Sequence, residues 1–147
     1  MLKRLIVAIV AMFVLLPNAH AELKVDIIAG AVEPISIAVQ KFETGDGVPV
    51  KVASMMRSVV EKDLKSTGLF RIVNHDAFPE YVKMHAMPTF KTWGAIKTQV
   101  LVQAKLTTES DNRYKLDFFV WDVKGQEQIE AQSLVASRKT ARRLAHI

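Results

Sequence analysis

The 147-residue chain contains no cysteine. This excludes a disulfide framework, a thiolate zinc site, a cysteine nucleophile and a lipid-modified cysteine at an export cleavage point. Histidine is scarce, with 4 in the chain. His75 and His85 stand ten positions apart with Asp76 and Glu80 between them, which does not define the three or four ligands a metal needs. They read as surface-loop residues. No serine lies in an elbow motif and no carboxylate pair stands out, so an enzyme has no residues to carry it. The paired glycines Gly45 and Gly47 lack both the Walker lysine and a G-x-G-x-x-G continuation.

A strong charge of one sign is also lacking. The formal net charge is +5, falling to +3 once Lys3 and Arg4 in the leader are set aside, and no basic stripe concentrates it. Arg138, Lys139, Arg142 and Arg143 form a local group at helical spacing, with His146 beside them. It reads as a solvated helix face rather than a seat for phosphate or anionic lipid. Half of the residues are apolar and 24% are charged, a globular composition without a disorder signature.

The one long apolar run is residues 5–16. Lys3 and Arg4 precede it, and Pro17, Asn18 and the small-residue site Ala19-His20-Ala21 follow. That is the layout of a secretory signal peptide over residues 1–21, with cleavage expected between Ala21 and Glu22. As a helix the run rises about 18 Å, too short for a hydrocarbon core of about 30 Å. The exported chain would carry no disulfide, so its apolar core must suffice.

Residues 52–70 form the clearest periodic stretch. Val52, Met55, Met56, Val59, Val60 and Leu64 recur at steps of three and four, predicting one apolar helix face. Gly68 stands where a left-handed C′ residue ends a helix, and the run from Leu69 to Val73 reads as a strand. Before it, residues 35–42 read as a β-rich strand and residues 43–49 as a loop. After it, residues 74–88 look irregular. A short helix over residues 88–96 would bury Phe90 and Trp93. A three-stranded meander then takes residues 98–107, 114–121 and 128–135. Phe119 and Trp121 alternate with Phe118, so both faces of the middle strand should be at least partly covered. From Arg138 the spacing turns helical without a stop signal before Ile147, as in a helix that is cut short. The expected fold is α/β, a single mixed β-sheet packed against two or three helices.

Residues 22–34 stand apart. Leu23, Val25 and Ile27 alternate with Glu22, Lys24 and Asp26, and Ile28 follows. Ala29, Gly30, Ala31 and Glu33-Pro34 then separate the segment from the next strand. A short alternating segment with a free end is suited to adding as an edge strand to a partner's sheet; an ordinary first strand would carry the same pattern.

Several blocks in this order resemble the family of TolB amino-terminal domains. They are Glu22-Leu23-Lys24-Val25 after the cleavage site, the run from Pro34 to Phe42, the helix-end block from Asp63 to Phe70, Trp93-Gly94-Ala95, and Arg142-Arg143-Leu144-Ala145-His146. The helix-end block is the most specific. The resemblance implies a periplasmic protein of the Tol-Pal system, with an α/β domain over residues 35–147 and a propeller beyond it. It also implies that Glu22, Leu23, Lys24, Val25, Asp26, Ile27 and Ile28 bind a TolA-like inner-membrane protein. A Pal-like lipoprotein would be met only through the propeller. Neither a cofactor nor a metal is implied. The other reading of the residues is an exported solute-binding or enzyme-regulating α/β domain with a pocket beside residues 74–88.

Overall fold

The computed structural model describes residues 33–109 and 112–140. The tail positions Glu22 to Ile28, the cleavage site and the helical reading beyond Thr140 lie outside the described residues. The periodic stretch forms helix α1, Val50–Ser66. Ala53, Met56 and Val59 are buried on its inner face, and Val52, Val60 and Leu64 pack beside them. Met55, expected on that face, is 39% exposed. It lies about 100° around the helix from Met56, at the edge of the stripe, while the smaller Ala53 takes a central place. The helix stops as anticipated. Thr67 donates from its hydroxyl to the Leu64 carbonyl at 2.7 Å and accepts from the Leu69 N–H at 3.1 Å. Gly68 follows with φ of 72°, the left-handed conformation that glycine takes without a Cβ clash.

Six strands make one mixed sheet: β1 (Ile35–Val39), β2 (Glu43–Thr44), β3 (Phe70–Ile72), β4 (Val100–Glu109), β5 (Arg113–Asp122) and β6 (Glu127–Ser137). Their order is β3-β1-β4-β5-β6. β2 continues the line of β1 along β4. β1 runs parallel to β3 and β4, while β4, β5 and β6 form the antiparallel meander. The strand expected over residues 35–42 therefore breaks at Gln40 and resumes at Glu43. The Gln40 side chain, on the same face as Ala38, is buried there and its Nε2 donates to the Glu80 carbonyl at 3.1 Å. Its own N–H still reaches the Val102 carbonyl at 3.1 Å. The loop reading of residues 43–49 misses these two ladder residues because Glu43 and Thr44 are too few to show a period.

The pleat sends alternate residues to opposite faces. Ile37, Val39, Val102, Ala104, Leu106 and Leu116 pack on the α1 face, whereas Ala38, Leu101 and Trp121 meet Val73, Val82, Trp93 and Val123 on the other. This second layer is built from residues 73–99. They include a 3-10 turn at His75–Ala77, an extended stretch, and the short helix α2 (Phe90–Ala95). Both faces of β5 are thus used, as its aromatic pattern implies. Phe118 and Phe119 remain half-buried, and Trp121 is buried.

Candidate interaction surface

Helix α1 lies toward the β2 and β3 side of the sheet, and among the described residues the apolar face beyond it stays open. A groove of about 530 Å³ results, with Val60 and Leu64 of α1 on one wall. Leu116, Phe118 and Val120 of β5 form its floor, and Ile129 of β6 its far rim. The lining is apolar apart from Asp63 and Thr67. It offers mainly apolar contact area. Contiguous apolar surface of this kind marks places where proteins meet partners.

The outer strand adjoins this groove. Among the described residues β6 pairs only with β5, leaving one edge of N–H and C=O groups free. The strand has neither lysine nor proline over Glu127–Ser137, the residues that usually blunt an edge. Ile129 and Val135 are 53% and 44% exposed. A bulge at Val120/Trp121 bends the pairing near Ile129 and coincides with the rim of the groove.

The opposite face is closed by polar anchors. Glu80 accepts the Trp93 indole N–H at 3.0 Å and the Thr89 N–H at 2.8 Å, both on Oε1, and the Thr89 hydroxyl on Oε2 at 3.2 Å. Gln103, 2% exposed, accepts the Trp121 indole N–H at 2.9 Å and donates to the Ala86 carbonyl at 3.1 Å. Glu43 accepts the Met84 N–H at 2.6 Å. Each bond satisfies a donor or acceptor that would be costly to leave unpaired where it is buried. Tyr81 is half exposed. Partial burial, then the charge and hydrogen bond of Glu43, hold its phenol above the ordinary 10.0.

The histidines fall where a surface reading puts them. His75 sits 2.6 Å from Glu61 Oε1 of α1 and packs edge-on to Phe78. His85 has φ of 68° and packs edge-on to Phe119. Both are exposed, and the described residues hold no group of three metal-ligating side chains. The sequence gives no warning that Glu80 and Gln103 are anchors, because their partners lie 9 to 18 positions away and no period links them.

A family model described as the TolB amino-terminal domain matches residues 23–129. The chain belongs to the TolB amino-terminal domain family. Its fold agrees with solved structures at low identity. TolB from Acinetobacter baumannii matches with a TM-score of 0.64 and 18% identity over 78% of this chain and 26% of that one. The chain thus spans about a quarter of that protein's length. The LpoB C-terminal domain from Salmonella enterica matches at 0.52 and 13% identity, over 74% of this chain and 87% of the other. A Neisseria meningitidis lipoprotein matches at 0.55 and 12%, over 71% and 81%. These likenesses bear on the fold alone, a single mixed sheet with its helices.

Proposed function

We propose that the chain is a periplasmic interaction domain of the Tol-Pal cell-envelope system. Residues 1–21 direct export, and Glu22 to Ile28 add as an edge strand to a TolA-like inner-membrane protein. Through that link the domain contributes to outer-membrane integrity and to envelope constriction during division. A Pal-like partner is reached through a propeller rather than through these residues. The observation that carries the reading is the family match, which begins at residue 23 and so takes in the alternating segment.

Energetics indicate which part of that segment matters. Ordering backbone costs about 1–2 kcal/mol per residue, and each ladder hydrogen bond returns only about 0.5–1.5 kcal/mol. Backbone pairing alone therefore does not overcome the ordering cost. Burying Leu23, Val25 and Ile27 at about 1.5–3 kcal/mol each supplies the surplus. The backbone sets register and direction; the three apolar side chains set affinity.

Calorimetric titration of a TolA-like domain into the chain with and without residues 22–28 tests this. The deletion is expected to abolish binding while circular dichroism and the melting temperature stay as in the intact chain. Unchanged affinity after the deletion would sink the proposal.

A further inference from the structure

A second cavity, of about 370 Å³, opens at the end of the sheet where β1 and β4 begin. Three cations from separate elements line it: Arg71 of β3, Lys97 after α2, and Lys124 in the turn after β5. The single carboxylate in the lining is Glu33. Among the described residues none of these four forms an ion pair. Unneutralised like charges around one concavity raise the local potential and favour an anion there. The sequence shows no such cluster because the three cations are scattered over 54 positions, and only the fold gathers them.

The floor of this cavity is built and held. Gln99 accepts the Ser36 N–H on its side-chain oxygen at 2.8 Å, donates its own N–H to the Ser36 carbonyl at 2.9 Å, and accepts the Val123 N–H at 2.9 Å. Thr98 beside it is 4% exposed, and its Oγ1 has no hydrogen-bond partner. A buried hydroxyl left unpaired calls for an explanation. Lys97 has φ of 59°, a left-handed conformation that a side chain with a Cβ rarely adopts. The turn is held there by the Lys97 N–H on the Gly94 carbonyl at 2.9 Å and the Thr98 N–H on the Trp93 carbonyl at 3.2 Å. These are the two bonds of a Schellman helix end, and Lys97 is its left-handed C′ residue.

We propose that this cavity binds a phosphate group, carried either free or on a lipid headgroup. An arginine fork and two lysines form the donor set that phosphate oxygens take. The site uses residues between Glu33 and Lys124 only, none of them in the 22–28 segment.

The test is a titration of the full chain with inorganic phosphate, followed by the amide NMR signals of Thr98, Gln99 and Lys124. Alongside it, co-sedimentation is measured with phosphatidylglycerol and with phosphatidylcholine vesicles. Saturable shifts without sedimentation identify free phosphate as the source. Retention on phosphatidylglycerol but not phosphatidylcholine that is weakened in Lys97→Gly and Gly94→Glu, both of which keep the leader, identifies a headgroup. Lys97→Gly removes one cation while relieving the left-handed strain, and is expected to weaken binding on the order of tenfold without loss of stability. Gly94→Glu is the second probe. A Cβ at Gly94 meets nothing within 4 Å, so this variant folds and brings an opposing carboxylate to the lining. No saturable shift with phosphate and no retention on phosphatidylglycerol would overturn the proposal, as would wild-type affinity in both variants.

Discussion

The two faces of the sheet are covered by different means. On one, α1 sets a regular apolar stripe against β1, β2 and β3 and leaves the meander beside it open. On the other, residues 73–99 run irregularly and are held down by Glu43, Glu80, Gln40 and Gln103. Apolar packing by a periodic helix needs no specific partner atoms, and its shape leaves a groove where the helix ends sideways. Polar anchoring of a mostly aperiodic segment needs particular partners for each bond, and it can cover a face with little regular structure. The contrast leaves an open apolar groove on the helical side and an anchored covering layer on the other.

That contrast can be broken from either side. Met56→Ala should have the largest effect. Met56 is fully buried between α1 and the sheet, and truncation there costs about 2–5 kcal/mol, read as a fall in the urea midpoint. Glu80→Ala comes next. It strands the indole N–H of the fully buried Trp93 and is expected to cost about 1–3 kcal/mol. Amide exchange should quicken over residues 74–96 before it does in α1, because the anchor holds only that layer. Equal loosening of both faces would show that the two layers do not open separately. Gly68→Ala is expected to cost about 1–2 kcal/mol from its left-handed backbone alone, with no cavity formed. Ile129→Ser on the rim of the groove should shift stability by less than about 0.5 kcal/mol, since that side chain is 53% exposed. A large loss there would mean that the rim belongs to the core.

What the sequence discloses follows the same division. The α1 stripe, its stop at Gly68 and the meander strands are legible because each repeats at 3.6 or 2 residues. Met55 is misplaced because steps of three and four admit a residue at the edge of the stripe, about 40° beyond Val59. The two-residue strand β2 is too short to carry a pattern. The hidden parts are non-local: Glu80 reaches Trp93, Gln103 reaches Trp121, and Arg71, Lys97 and Lys124 meet in one cavity only after the chain has folded. The groove is likewise invisible, since the alternation of β5 puts Phe118 on one sheet face without showing how far α1 extends over it. Family membership agrees with the resemblance drawn from the ordered blocks.

Strand addition by Glu22 to Ile28 is the proposed mode of partner binding. Hydrogen exchange of these amides, measured with and without a TolA-like domain, tests it most directly. The account predicts slowed exchange at every second amide between residues 22 and 28, the period of a ladder formed along one edge. Protection elsewhere in the chain with residues 22–28 still exchanging freely would contradict it.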